Sequence, residues 1–467
     1  MSASDEPAVS KGPEGAAGND SGRRPLPRSP SPEQRSPKGP HREWSLRPRS
    51  LPGTLRSLVR TAEIDTRLLG MLGALLIIWV GFHFWSGGFH WSKGTFLTPR
   101  NLWNLSVQTA TVSIMATGMV LIIVSRNIDL SVGAVLAAVG MAMAVLQAEI
   151  LPKWLGFDHW ATWIIVLLIG IAMGAAIGGV QGFVVAYIGV PSFIVTLAGY
   201  LVWRGVAWAM ASGRTIAPMD STFQLIGGGS RGNIGGFWSW IVGAVACLGI
   251  VALLINSRRQ RGKFGLRLRP LPAEIGIGVA GCAAVLGAVA YLNRYLLPER
   301  VAAGRGGGNI AFGLAIPVLI AIAATLVMIF IGTRTRFGRY VFAIGGNPEA
   351  AALSGIKTRW TIMKAFILMG VLVAIAAAVQ IARLNAAVSG LGQGAELYVI
   401  AAAVIGGTSL LGGAGTATGA VLGALVMQSL SSGMVLVGVE APIQDIAVGF
   451  VLVVAVAIDT LVRRRPT

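Results

Sequence analysis

The chain has 467 residues, 54% of them hydrophobic and only 12% charged, with a mean hydropathy of +0.70. A soluble globular chain carries roughly 25% charge, so half the usual charged surface is missing and a soluble domain is excluded. The net charge of +19 falls in short basic blocks between apolar runs, the pattern that encodes membrane topology, and it forms no basic face alternating with aromatics that would fit nucleic acid.

Residues 1–60 hold ten of the 21 prolines, among Ser, Gly and mixed charge. Such a stretch cannot bury a core and reads as a disordered tail on the cytoplasmic side. The first apolar run starts too late for a cleavable signal peptide. From residue 68 to 461 apolar segments follow one another, and the composition predicts an all-α, polytopic transmembrane helix bundle of about 10–12 spans. Candidates lie near 68–85, 101–124, 131–148, 163–188, 192–211, 237–256, 273–296, 309–332, 361–382, 397–411, 417–438 and 445–461. The tenth is weakest: its clean run "YVIAAAVI" stops at Gly406, and ten helical residues reach only about 15 Å, half a membrane.

Three basic blocks set the orientation. "SRRQRGKFGLRLR" (257–269) has six basic residues and no acid, the loop 333–360 has five against one, and the chain closes on "RRRPT". Even numbers of spans separate them, so all three share one side, and Lys/Arg enrichment makes that side cytoplasmic. Eight spans precede the 333–360 loop, which puts both termini inside.

Two stretches echo each other. "RNIDLSVGAVLAAVG" (126–140) joins the second and third spans, and "GGTSLLGGAGTATGAVLGAL" (406–425) joins the tenth and eleventh. Setting Arg126 on Gly406 places Asp129 against Ser409 and Gly133 against Gly413. Broken helices near 126–133 and 406–416, at corresponding places in two repeats, are what a transporter sets around its substrate path. Asn127, Asp129, Ser131, Thr408 and Ser409 supply the hydroxyls, amide and carboxylate that hydrogen-bond a polar substrate. Arg126 and Asp129 are also placed to pair with each other and fix the turn. Arg204, six residues before the end of its span, is expected to snorkel.

The loop 333–360 carries a short helix of its own, "GGNPEAAALSGIKTRW" (345–360). Asn347 caps it, Pro348 suits its first turn, Glu349 favours the positive end of its dipole, and Gly355 supplies a left-handed stop. A stiff capped helix in the longest basic loop is suited to docking a partner; the alternative is a connector lying on lipid headgroups.

"EAAALSG" (349–355) fits the EAA-x-x-x-G pattern of permease subunits in ABC importers, and "TRFGRYVFAIGGNPEAAALSGI" resembles the ribose and xylose type. "NIDLSVG" (127–133), "FIVTLAGYLVWRG" (193–205) and "GGTSLLGGAGT" (406–416) resemble three further signatures of that branch, in the same order. The resemblance covers roughly 68–461 and implies a sugar permease working with a second permease copy, an ABC ATPase subunit and an extracellular or periplasmic sugar-binding protein, surrounded by membrane lipid. It also implies that Asn347, Glu349, Ala350, Ala351 and Gly355 form the ATPase-coupling helix, with Ala350 and Ala351 entering a groove of the partner. The ribose type tends to read Gly-Gly where this chain has Arg126-Asn127, and lacks the insertion at 257–308 with its basic loop and added span pair. The longer form is similar to xylose permeases, so a pentose is the expected cargo.

No phosphate-binding GxxxxGK[ST] loop is present, so ATP hydrolysis falls to a partner chain. Four scattered histidines and two cysteines, Cys247 and Cys282, read as buried thiols, give no metal-ligand or disulfide spacing, and no cofactor is expected. A membrane enzyme would need paired carboxylates or a nucleophile arrangement, which the sequence lacks. A proton-coupled secondary sugar transporter is the alternative, with Asp129 as its titrating group.

Overall fold

The computed structural model describes residues 66–266, 268–303 and 308–464; the tail expected over 1–60 lies outside them. The described residues form helices, loops and isolated bridges, with no strand among them. In chain order these are α1 (Thr66–Ser86), α2 (Pro99–Val124), α3 (Val132–Val145), α4 (Thr162–Phe183), α5 (Ser192–Ala211), α6 (Gly235–Lys263) and α7 (Leu271–Leu292). There follow α8 (Ile316–Arg334), α9 (Arg336–Gly346), α10 (Pro348–Leu353), α11 (Thr358–Leu384), α12 (Ala395–Ile405), α13 (Ala417–Leu436) and α14 (Ala441–Arg464). Single π turns at Leu146–Ile150 and Val184–Ile188 prolong α3 and α4.

Ten of the described helices are long and apolar enough to cross a membrane, which makes this a multi-pass membrane protein; α12 and the apolar part of α14 are shorter. The tenth expected span is therefore half a helix, 11 residues or about 16 Å. The eighth expected span, near 309–332, starts later than its composition suggests. Residues 312–315 instead pair back with 233–235, where Ile234 N donates to Leu314 O, and Ala311 bridges to Leu296.

Helix α2 is the central post, with 94% of its spanning window buried, against 11% for α6 and for α7. It starts where Thr98 accepts from Asn101 N and Pro99 fills the first turn. Its neighbours are α8, α11, α12 and α13. Helices α4 and α11 approach through glycines: no Cβ would fit at Gly174 or Gly178 of α4, nor at Gly370 of α11. That close contact replaces the hydrophobic drive that lipid cannot supply. The pair α6–α7 lies at the edge, closed by Arg258 on Glu274 at 2.6 Å, and of α6 only the end falls within 257–308, with α7. Cys247 and Cys282 are half-buried rather than buried and remain free thiols.

Candidate functional site

The first interruption follows α2. Ser125 N closes the helix on Leu121 O, and Arg126 takes a left-handed φ of 63°. Asn127 turns its amide back to Ser125 O and Oγ. Asp129 Oδ1 accepts from Ser131 N at 2.9 Å and from Ser131 Oγ at 2.6 Å, a side-chain turn that launches α3. Gln181 of α4 places its Oε1 3.1 Å from Ser131 Oγ.

The second interruption follows α12. Gly406 and Gly407 end the helix, Ser409 N donates to Ala414 O, and Gly412 and Gly413 both take positive φ. Thr416 then caps α13 by accepting from Gly419 N. Thr408 and Ser409 are buried, and Thr408 Oγ1 has no hydrogen-bond partner.

Both interruptions meet the end of α9. A helix leaves its last carbonyls unsatisfied. Arg126 takes two of them, donating from Nε to Gly345 O and from Nη2 to Gly346 O at 2.8 Å each. Gly413 N donates to Val124 O. No Cβ would fit at Gly345, beside Val124 O and Gly413 N, nor at Gly412, beside Arg126. Arg126 therefore turns to α9, and no ion pair joins it to Asp129 among the described residues.

From this knot the chain enters α10. Asn347 Oδ1 accepts from Ala350 N, Pro348 opens the helix, and Gly355 takes φ 83°, as the sequence leads one to expect. One detail is corrected: Ala351 is only 4% exposed and turns into its own chain. The outward face is formed by Glu349, Ala350 and Leu353, the last 90% exposed.

Residues 385–394 fold back beside α3, where Gly392 O leaves no space for a Cβ at Gly133 and Leu391 reaches Gly140. Arg204 does not snorkel. Its Nη1 donates to Ser389 O and Leu391 O at 3.0 Å each, holding this strap in place.

Between α2, α11, α13 and the strap lies a cavity of about 120 Å³. Gln108 and Thr111 of α2, Gln380 and Arg383 of α11, and Gln428 of α13 line it, over a floor that includes Met115. Gln428 Nε2 donates to Gln108 Oε1 and Thr111 Oγ1 to Gln380 Oε1, while Arg383 Nε is buried with no partner. Larger clefts of about 420 and 630 Å³ are walled almost wholly by hydrocarbon on α6–α7 and between α1 and α7. The residues expected at a substrate path, Asn127, Asp129, Ser131, Thr408 and Ser409, stand at the two interruptions instead, and none lines the 120 Å³ cavity. Sequence reasoning passed over the glutamines. The available signal was a large amide side chain inside an apolar span.

Comparison with known proteins places this geometry. The family model described as "Branched-chain amino acid transport system / permease component" matches residues 101–456. The xylose transport system permease protein of Haemophilus influenzae is 39% identical over 369 residues, covering 79% of this chain and 91% of the relative. The xylose transport system permease protein of Escherichia coli K12 is 37% identical, covering 86% and 94%. The ribose import permease protein of the same organism is 31% identical, covering 78% and 87%. No solved structure matches the chain.

Proposed function

The chain belongs to this family of transport-system permease components, and from that premise we propose that it is the membrane-spanning subunit of an ATP-driven importer of a pentose such as xylose. The relatives named for xylose and ribose transport support the sugar class. A second permease copy, an ATPase subunit and a sugar-binding protein complete the machine. The basic loops and both termini face the cytoplasm, by the Lys/Arg excess at 257–269 and 333–360.

One observation carries the reading. Helix α10 is capped at both ends and presents Leu353 at 90% exposure on a loop that also ties both interruptions together. An exposed apolar anchor on a stiff short helix suits insertion into a partner's groove. Closure of two ATPase subunits then reaches α2 through Arg126, α13 through Gly412 and Gly413, and α11 directly. Asp129, which a proton-coupled carrier would titrate, is occupied in holding the turn into α3.

The test is uptake into proteoliposomes. Labelled xylose should accumulate only when the ATPase, ATP and the binding protein are all present. Accumulation driven by a proton gradient with the permease alone would overturn the reading.

A further inference from the structure

The polar cavity has three features that belong together. It contains an arginine, Arg383 in the last turn of α11, and a charge drawn into the bundle is expensive unless something satisfies it. Arg383 has no ion pair among the described residues, and its Nε is buried without a hydrogen-bond partner. The rest of the polar lining is amide and hydroxyl, from Gln108, Thr111, Gln380 and Gln428, with no carboxylate, and Val112, Met115 and Leu136 supply apolar wall beside it. A lining of this kind suits oxygen atoms and turns away a cation. At about 120 Å³ the space is smaller than the roughly 300–1,000 Å³ of drug-sized pockets, which suits a ligand of a few carbons.

The third feature is mechanical. The three helices that carry its polar side chains are each joined to the knot around α9 and α10, while Leu136 of α3 and Ala395 of α12 complete the lining. Helix α2 ends at Arg126, α11 begins directly after α10, and α13 begins after Gly412 and Gly413. Thr111 stands about 22 Å along α2 from Arg126, at 1.5 Å per residue. A shift of α10 therefore acts on all three helices that carry the polar side chains of this small space.

We propose that this cavity is a sugar-binding site within a single chain, in which Arg383 and the glutamine amides donate to the hydroxyl and ring oxygens of a monosaccharide. The proposal rests on the importer reading and deepens it, because that reading leaves open where the sugar sits. It assigns the site to residues that lie in neither interruption.

The complete importer in proteoliposomes, with labelled D-xylose and saturating binding protein, provides one arm. Arg383→Gln and Gln428→Leu should each lower uptake about tenfold or more, the loss expected for one charged or two neutral hydrogen bonds. The subunits should still co-purify, and Arg383→Lys should recover part of the rate. Occupancy is read separately, in case a variant folds poorly. A Thr111→Cys change, made in a chain with Cys247 and Cys282 replaced by Ala, is treated with a small water-soluble thiol reagent. D-xylose should slow the modification, and glycerol at equal concentration should not. If the wild type imports xylose while both cavity variants run at its rate, or if xylose gives no protection, the cavity is not the site and the importer reading stands. If the wild type imports no monosaccharide, the importer reading falls and the proposal with it.

Discussion

Arg126→Ala removes the two bonds that tie α2 to the end of α9. Each is a charge-assisted bond at 2.8 Å, and bonds to charged groups contribute about 1.5–3 kcal/mol. The bond to Gly346 O is exposed and belongs at or below the low end of that range. Together they hold the knot by about 2–4 kcal/mol, similar to the coupling energies that usually link two sites. Arg126→Gly makes the control. It removes the same bonds but relieves the left-handed φ, which costs a non-glycine residue about 1 kcal/mol or more. Both variants should therefore insert and hold the ATPase, with the glycine form the more heat-stable, yet both should hydrolyse ATP without importing sugar. The assay is the ratio of xylose imported to ATP hydrolysed in proteoliposomes. It should fall about tenfold or more in both variants, and Arg126→Lys, which can keep one bond, should lie between. A normal ratio in the alanine and glycine forms would refute transmission through this side chain.

Other outcomes follow from the same geometry. Leu353→Asp should leave the permease folded but abolish co-purification with the ATPase, because the 90% exposed side chain is free to meet a partner; Ala351→Trp should instead destabilise the permease itself, read as a lower melting temperature without the ATPase. Gly345→Val should misassemble the knot, since Val124 O and Gly413 N occupy the space its side chain needs, and limited proteolysis should then cut near 406–416. Asp220, in the loop between α5 and α6, has its carboxyl pushed up, first by burial and also by the charge of Asp158, with the Phe223 and Thr222 amides opposing. A raised folded value means the contribution to stability is fully present below the ordinary carboxylate range, about pH 4, and is lost as pH rises through the folded value. Asp220→Asn should accordingly melt at the wild-type temperature in acid and progressively above it towards neutral pH; an unchanging gap between the two curves would contradict this.

Local signals were legible in the sequence. The caps of α10, the left-handed Gly355 and the shortness of α12 all depend on residues a few positions apart, and each appears as expected. Long-range partners were not. Arg126 finds carbonyls 219 and 220 positions away, where a neighbouring acid had looked as suitable. Arg204 finds carbonyls of a strap whose fold no periodicity announces. The cavity is assembled from glutamines at 108, 380 and 428, well separated in the chain on three mainly apolar helices. The facing of Ala351 depended on how α10 rests against its own bundle, which six residues do not specify.

The strap and α12 bear on how the chain is made. Eleven helical residues are too few to cross hydrocarbon unaided, and backbone outside a helix is tolerated at that depth only when protein surrounds it. The carbonyls of Ser389 and Leu391 rely on Arg204 of a helix synthesised nearly two hundred residues earlier. Segment 385–405 therefore has no stable home in the bilayer until α3 and α5 stand beside it and α13 has emerged to close the hairpin. A nascent chain arrested just beyond Gly406, before α13 exists, should leave this segment more open to proteases than the full chain does.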